Sequence, residues 1–313
     1  MMQILTLDQI KSALPSVDLM GEIESGFIAY SQGRAVVPPV GELVMQDPPG
    51  DVHIKYGYLM GDDYYVIKIA SGFYDNPKLD LPSSNGLMLV FSQKSGALEA
   101  VLLDQGHLTD IRTAVAGAIA AKYLAPSKVG RIGIVGTGVQ ARLQLEYLAP
   151  VTACREVLVW GRGEGQLAAY RRDMSTKGFQ VSTTTDAGDI IASCSLIVTT
   201  TPATTPILTG TVQPGTHITA VGSDTHDKQE LDAEILQHAD LVVADSISQC
   251  LERGEIHQAL KSNAITRADL VELGNIIAGD AAGRESDDQV TVADLTGVAV
   301  QDIQIAKSVL NRG

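Results

Sequence analysis

The sequence predicts an α/β protein with two domains, in which a doubly wound parallel sheet follows a smaller α+β domain with an antiparallel sheet. Three observations support this fold class. The chain has 313 residues, which is enough for two domains of roughly 150 residues each. Its first part carries apolar residues at every second position in segments separated by turn residues, as antiparallel strands do. From residue 131 onwards, strand and helix patterns alternate, which is typical of a parallel sheet.

The chain is expected to begin with two helices. The first follows Thr6 in LDQIKSAL, and the second has Ser16 as its N-cap and should end near Gly33. Apolar side chains at helical spacing mark one face of the second helix, namely Met20, Ile23, Phe27 and Tyr30. The antiparallel strands then follow in VVPPVGELVM, DVHIKYGYL, DYYVIKIA, GLMLVFS and ALEAVLLD.

The second half supplies the parallel strands RIGIV, EVLVW, SLIVTTT, HITAVG and DLVVAD, with helices from about Val139 and after Gly163. Pro126 ends the helix that precedes it, so we place the domain boundary there. The predicted domains are residues 1–126, joined by 298–313 with the last helix, and residues 127–297.

Composition and charge limit the function classes. The chain is 45% hydrophobic and 19% charged, as in ordinary globular proteins, and its formal net charge of −14 disfavours nucleic acid and acidic membrane surfaces as partners. We see no export signal and no apolar stretch that could span a membrane. The three cysteines are far apart, which fits a cytoplasmic location, and the six histidines show no ligand spacing, so no metal is predicted.

A glycine-rich motif predicts a dinucleotide site. GTGVQA directly follows the strand RIGIV and opens a helix, which is the Rossmann context. Gly136 permits the tight turn, Gly138 lets backbone N–H groups approach a pyrophosphate, and Ala141 allows close packing of helix on strand. We therefore assign cofactor binding to Gly136, Thr137, Gly138, Val139 and Gln140.

The residue after the next strand bears on the choice of cofactor. NAD sites usually place an acid there to bind the ribose 2′-hydroxyl, whereas EVLVW is followed by Gly161 and Arg162. A guanidinium matches a 2′-phosphate, so we expect NADP(H) to be preferred. NAD(H) stays possible, because Arg162 can be a solvated residue and Glu164 could reach a ribose.

Five segments together resemble the ornithine cyclodeaminase/mu-crystallin family: Lys68 in its strand, LTDIRTAVAGAIAAKYLAP, GIVGTGVQA, GSD with KQELD, and GRESDDQVTVADLTGVAVQD. The resemblance covers nearly the whole chain. It implies a first domain that binds substrate and forms a homodimer, a Rossmann domain, and a bound nicotinamide cofactor. We also assign Ser83 and Thr200 to cofactor binding. Because the family includes cyclodeaminases, alanine dehydrogenases and ketimine reductases, the resemblance defines the cofactor class better than the substrate.

Lys68 is the first candidate for the substrate site. Strand alternation places it on one face with Val66 and Ala70, among apolar neighbours. From the pattern alone, such a lysine is either an outward-facing residue or a functional ammonium group. The resemblance implies the second, because the aligned lysine binds the substrate carboxylate and takes part in proton transfer.

Arg112 and Asp224 complete the predicted catalytic set. We place Arg112 in the first turn of a helix capped by Thr109, where the helix dipole disfavours a cation unless an anion is held there. The resemblance implies that it binds the α-carboxylate, and a pair with Asp110 or a distant acid is the alternative. Asp224 follows HITAVG at the carboxyl end of the strand, where such sheets bind ligands, and by resemblance acts on the substrate nitrogen or on water. The loop after it lacks the Pro-Gly usual in the family.

Two departures from the cyclodeaminases of the family disfavour ornithine. They typically carry Arg after the Pro-Pro of the first strand, whereas Pro38 and Pro39 are followed here by Val40. The acid that receives the distal amine of ornithine aligns with Lys55, and a cation there repels a diamine. Lys55 instead resembles a basic residue of the dehydrogenase-type members, so we assign it to substrate binding.

Three functions follow from this resemblance. The first is an NAD(P)-dependent oxidoreductase acting at the C–N bond of a small amino acid or its imine, like an alanine dehydrogenase or ketimine reductase. The second is an ornithine cyclodeaminase, a lyase that forms proline and ammonia with NAD used only catalytically. The third is a non-catalytic, mu-crystallin-like binder of NADPH and a small ligand, which Lys68, Arg112 and Asp224 count against.

Overall fold

In the computed structural model, which describes residues 2–73 and 75–310 apart from the side chain of Pro77, the chain forms two compact units. The first unit combines Met1–Arg112 with Val298–Gly313, and the second is Thr113–Gly297. The division lies within a helix, whereas the predicted boundary at residue 126 follows that helix. Since one helix continues from the first unit into the second, the domain limits stay a prediction.

The order of elements follows the predicted change from a strand-rich first part to alternating strands and helices. The strands are β1 Gln3–Thr6, β2 Ala35–Val36, β3 Gly41–Gln46, β4 Pro49–Leu59, β5 Tyr64–Phe73, β6 Ser84–Ser92, β7 Leu98–Leu103, β8 Ile132–Val135, β9 Glu156–Trp160, β10 Gln180–Thr184, β11 Leu196–Thr199, β12 His217–Ala220, β13 Leu241–Ala244, β14 Leu270–Glu272 and β15 Thr291–Asp294. The helices are α1 Leu7–Ala13, α2 Leu19–Ser31, α3 His107–Leu124, α4 Val139–Leu148, α5 Glu164–Ser175, α6 Gly188–Ser193, α7 Ala233–Gln237, α8 Ile247–Cys250, α9 Gly254–Lys261, α10 Leu273–Ala278 and α11 Ala299–Leu310. Within the described residues, no helix has both the length and the apolar character that crossing a bilayer requires.

The sheet of the first unit has the order β1-β7-β6-β5-β4-β2, with β3 also paired to β4. The pairs among β2 to β7 are antiparallel, as predicted. β1 pairs with β7 in parallel, so the sheet is mixed rather than purely antiparallel. β1 was not predicted, because a segment of four residues is too short to display a period.

The start of the second helix differs from the prediction. Ser16 lies in a 3-10 turn, Leu14–Ser16, that also contains Pro15. The N-cap of α2 is Asp18, whose carboxylate accepts a hydrogen bond from the backbone N–H of Gly21 (3.1 Å). The predicted end is confirmed, because α2 stops at Ser31 and Gly33 has a positive φ of +69°.

One face of this sheet is covered by α11, which contacts β4, β5 and α2. The inward-facing side chains of the strands form much of the core there, including Leu59, Val66, Met88 and Leu102. α11 is buried along almost its whole length, including the polar residues Gln301, Asp302 and Gln304. Because buried polar side chains need partners, this helix must place its polar groups against polar groups of the sheet and of α3.

The second unit contains a fully parallel sheet with the order β10-β9-β8-β11-β12-β15-β13-β14. The chain winds outward from β8 to β9 and β10, and then returns to β11 on the other side of β8 before continuing to β12. Right-handed crossovers in opposite directions place helices on both faces of the sheet. The predicted doubly wound α/β fold is therefore confirmed, and its crevice lies at the carboxyl ends of β8 and β11, where the strand order reverses.

Two buried carboxyl groups connect the loops at the carboxyl ends of these strands. Glu230 accepts hydrogen bonds from the backbone N–H groups of Thr201, after β11 (2.6 Å), and Gly222, after β12 (3.0 Å). Glu255 accepts hydrogen bonds from the N–H groups of Glu230 (2.7 Å) and Leu231 (3.1 Å). Burial raises the pKa of Glu230 to about 7, and burial together with the charge of Glu230 raises the pKa of Glu255 to about 8.

The pH dependence of stability should report these two carboxyl groups. Between pH 5 and pH 8 they hold protons in the folded protein that the unfolded chain has already released, so raising the pH favours unfolding. We expect these two groups together to lower the free energy of unfolding by several kcal/mol over this range in urea titrations. The variant E230Q should flatten the pH dependence, whereas E146Q, which alters an acid paired with Lys177 at the surface, should not. A flat or rising profile in the unmodified protein would contradict this interpretation.

Candidate functional site

Lys55 and Lys68 lie side by side on the covered face of the first sheet. They are directly opposite each other in the antiparallel pairing of β4 with β5, so both side chains project from the same face. Only 5% of Lys55 and 2% of Lys68 is exposed. An outward-facing Lys68, the alternative left open by the sequence, is thereby excluded. Two opposed cations destabilise a sheet unless anions compensate them. We therefore expect a negatively charged group close to Lys55 and Lys68.

Asp302 of α11 supplies negative charge between Lys68 and Arg112. One carboxylate oxygen, Oδ2, lies 3.2 Å from Nζ of Lys68, and the other, Oδ1, lies 3.0 Å from Nε of Arg112. Nη1 of Arg112 donates a hydrogen bond to Oε1 of Gln301 (3.0 Å). Neither Gln301 nor Asp302 was predicted from the sequence as a residue of the site. The available signal was the polar pair Gln301-Asp302 inside the apolar helix segment VAVQDIQIA.

Several buried polar atoms of this cluster have no hydrogen-bond partner. Both oxygens of Asp302 and Nε of Arg112 are within ion-pair distance of opposite charges but lack hydrogen-bond orientation. Nε2 of Gln301 and Oδ1 of Asp104 are also unpartnered. Native structures leave few such atoms, and their concentration around Arg112 gives this region unused capacity to bind a polar molecule.

The start of α3 corrects the predicted surroundings of Arg112. The helix begins at His107, so Thr109 lies inside it, and Arg112 is in its second turn rather than its first. The carboxylate of Asp104 accepts the backbone N–H of Leu108 (2.8 Å) and takes the capping role that was predicted for Thr109. Burial, followed by the nearby charge of Asp302, raises the pKa of Asp104. The acid beside Arg112 is the distant Asp302, as the alternative interpretation proposed.

His53 extends the polar face of β4. It precedes Lys55 by two residues and therefore projects from the same face. Its Nε2 lies 3.0 Å from Oε1 of Glu42, the residue opposite it on β3. This pair was not predicted, although the two-residue spacing of His53 and Lys55 in DVHIKYGYL places both side chains on one face.

In the second unit, the glycine-rich loop has the predicted form between β8 and α4. Gly136 has a φ of +118°, and a Cβ there would lie only 2.6 Å from the hydroxyl of Thr200. A Cβ on Gly138 would meet nothing within 4 Å, so this side of the loop faces open space. Ala141 is fully buried against the sheet. The loop and the N-terminus of α4 therefore fit the pyrophosphate of a dinucleotide, because they leave room for it and offer backbone N–H donors.

Arg142, in α4, forms hydrogen bonds with the glycine-rich loop. This role was not predicted from the sequence. Arg142 donates hydrogen bonds to the carbonyl groups of Thr137 and Gly138, the latter at 3.2 Å. Nε and Nη2 of Arg142 bind one carboxylate oxygen of Asp173 at 2.9 and 2.7 Å. Its guanidinium also lies over the ring of Tyr170. These contacts fix the backbone of the loop.

The remaining predicted cofactor residues occupy different places. Arg162 and Glu164 are both exposed beyond the carboxyl end of β9, so each is free to meet a ligand. The hydroxyl of Thr200 donates a hydrogen bond to the carbonyl of Val135 (3.0 Å), next to Gly136. Ser83 is exposed in the first unit, directly before β6, and its carbonyl accepts the N–H of Phe73.

Asp224 lies in the loop after β12, at the predicted carboxyl end of the strand. Its Oδ1 accepts a hydrogen bond from Nζ of Lys228 (2.7 Å), and its backbone carbonyl accepts one from Nη1 of Arg253 (3.3 Å). The Asp224 side chain is 35% exposed to solvent. Asp224 is thus an accessible carboxylate held by a neighbouring cation.

Comparison with known proteins places these features in a family. An uncharacterized cyclodeaminase of Sinorhizobium fredii is 40% identical over 99% of this chain and 96% of its own. A solved archaeal alanine dehydrogenase dimer with bound NAD is 34% identical, with a TM-score of 0.91 over 99% of this chain and 95% of that chain.

A second solved structure matches over the same extent. The Thermococcus litoralis Delta(1)-pyrroline-2-carboxylate reductase, in complex with NADH and L-proline, is 28% identical, with a TM-score of 0.93 over 99% of this chain and 97% of that chain. The model of the ornithine cyclodeaminase/mu-crystallin family matches residues 1–313. On this evidence, the chain belongs to the ornithine cyclodeaminase/mu-crystallin family.

Proposed function

We propose that the protein is an NAD(P)-dependent oxidoreductase that acts at the C–N bond of a small amino acid or its imine. The observation that carries this proposal is the buried cluster of Lys55, Lys68 and Arg112, three cations suited to a carboxylate substrate. The solved relatives bind NAD or NADH, and one of them binds L-proline. An amino or imino acid that carries a carboxylate beside its C–N bond matches this combination.

Each residue of the cluster has a role in the proposal. Arg112 binds the α-carboxylate of the substrate, with Nη2 available because the contacts described for it use Nε and Nη1. Lys68 binds the same carboxylate and can donate a proton from Nζ. The carboxylate of Asp224 acts on the substrate nitrogen or on water. Lys55 adds positive charge on the same face as Lys68.

The cofactor is proposed to be held by the loop from Gly136 to Gln140 and by Thr200 and Ser83. When bound, a nicotinamide supplies or accepts the hydride at the substrate carbon. Arg162 supports a preference for NADP(H), because its guanidinium is exposed at the end of β9, where a 2′-phosphate would bring negative charge. NAD(H) is the alternative, with Glu164 as the ribose partner.

We also propose a homodimer and a cytoplasmic location. The uncovered face of the first sheet presents apolar side chains that are 38–59% exposed, namely Ile4, Leu43, Tyr56 and Leu103. Such a patch is typical of an interface, and a solved relative is described as a dimer. The three cysteines are free thiols, which fits a reducing compartment.

Activity should be found with substrates whose side chain is neutral or acidic. We expect a change in absorbance at 340 nm when small imino acids, or keto acids with ammonia, are mixed with NADPH or NADH and the enzyme. L-Ornithine should be turned over poorly, because Lys55 repels a second ammonium group in a dry site. The variant K55E should lose activity on the good substrates and admit ornithine weakly.

Two other outcomes of the same assay would indicate a different function for the protein. Proline and ammonia formed from L-ornithine without net change in NADPH would identify a cyclodeaminase and would contradict the role given to Lys55. Tight NADPH binding with no turnover of any substrate would favour a non-catalytic binding protein.

Substitutions in the substrate site and in the glycine-rich loop should have different effects, the first on turnover and the second on cofactor binding. We expect K68A and R112A to reduce kcat/KM by at least 100-fold while NADPH binding, measured by fluorescence, is retained. G138V should abolish NADPH binding, because its side chain would fill the space beside the loop. If K68A and R112A instead fail to fold, the cations serve a structural ion cluster rather than substrate binding.

Arg162 should set the preference between the two cofactors. We expect the unmodified protein to bind NADPH more tightly than NADH, and R162A to remove most of the difference, which corresponds to roughly 1–3 kcal/mol for a charge-assisted contact. R171A alters another arginine of the second unit, one that bonds to Thr183, and should leave the preference unchanged. Tighter binding of NADH by the unmodified protein would show that Arg162 does not bind a phosphate.

A further inference from the structure

Asp302 differs from the other acids of the first unit in its position. It is 1% exposed and lies between two cations from different elements, Lys68 on β5 and Arg112 on α3. A carboxylate so deeply buried is strongly disfavoured in water-poor surroundings unless it interacts with positive charge. Its location in the chain, on the last helix, means that the fold carries it to the cluster from a distant segment.

A purely structural role would make Asp302 an anchor for α11. The same helix already has an anchor elsewhere, because Lys307 forms an ion pair and hydrogen bond with Asp62, before β5. That pair joins α11 to the sheet without touching Lys68 or Arg112. The two acids therefore offer a matched comparison, since both hold α11 and only Asp302 contacts the predicted substrate residues.

The electrostatic surroundings of Asp302 are dominated by cations. Lys68 and Arg112 contact it, and Lys55 lies opposite Lys68 on β4, with His53 two residues earlier on the same face. Asp104, before α3, is another buried acid of this unit, and the charge of Asp302 helps to raise the pKa of Asp104. Asp302 is thus a buried acid that directly contacts both Lys68 and Arg112, the cations of the predicted carboxylate site.

We propose that Asp302 is a positioning residue of the substrate site, which keeps Lys68 as an ammonium ion and fixes the orientation of the Arg112 guanidinium. Contact at Nε from Asp302 and at Nη1 from Gln301 leaves Nη2 of Arg112 for the substrate. A protonated Lys68 can both attract the substrate carboxylate and donate a proton. This inference rests on the proposed function only for its kinetic readout.

The test compares D302N with D62N in the full-length protein. NMR of ε-¹³C-labelled lysine, with the Lys68 signal assigned from K68R, follows the proton on Lys68 as the pH rises. We expect Lys68 in D302N to lose its proton at least one pH unit lower than in the unmodified protein, because an adjacent negative charge favours the ammonium form. In D62N this titration should be unchanged, even if the protein is less stable.

Kinetics give a second measurement. In D302N the basic limb of the pH profile of kcat/KM should move to lower pH, and KM for the imino acid should rise at least 10-fold. Q301L removes the hydrogen bond to Arg112 without altering charge, so its KM should rise while the pH profile stays in place. Q301L also provides the test of positioning if D302N does not fold.

The outcomes separate this inference from the proposed function. An unchanged Lys68 titration in a folded D302N, or an equal shift in D62N, would overturn it, and so would a normal KM in Q301L. If the unmodified protein turns over no amino or imino acid, the proposed function fails, but the NMR comparison still decides whether Asp302 controls the proton on Lys68.

Discussion

The first unit depends on one electrostatic constraint, which is that Lys55, Lys68 and Arg112 are removed from water on the same side of a sheet. Burial of like charges is unfavourable by several kcal/mol for each ion unless anions or polar groups compensate it. The chain meets this constraint in part with α11, whose apolar positions bury the helix and whose Gln301 and Asp302 then contact Arg112 and Lys68. Packing and electrostatics are therefore satisfied by the same helix.

The second unit uses burial differently. There several carboxyl groups are removed from water, and those of Glu230 and Glu255 accept hydrogen bonds from backbone N–H groups of loops, including the loops that follow β11 and β12. Arg142 does similar work for the glycine-rich loop by binding two of its carbonyl groups. In both cases a side chain fixes a backbone path by hydrogen bonds to backbone groups. Local rigidity of this kind is what anion binding at a helix N-terminus requires.

Local patterns in the sequence predicted those parts of the molecule that neighbouring residues determine. Alternation in DVHIKYGYL and DYYVIKIA located β4 and β5, and the placement of Lys68 on one face followed from it. The glycine-rich turn was predictable because its spacing carries its own geometry. The contact between Arg112 and Gln301 was not, because 189 residues separate the two and no local signal pairs them. The helix caps predicted at Ser16 and Thr109 were wrong for a related reason. At each helix start, a nearby aspartate accepts the hydrogen bond from the backbone N–H group instead.

The chain order of α11 has a consequence for biosynthesis. This helix follows the whole second unit in the sequence but completes the core of the first. A ribosome therefore exposes Lys68 and Arg112 long before it delivers Asp302, which contacts both of them. Until then, the nascent first unit has an uncovered apolar sheet face and lacks Asp302, whereas the second unit is continuous in sequence and can fold as soon as it emerges. Chains released before α11 is made would retain that exposed face, and chaperones or proteases could distinguish them from the finished protein by it.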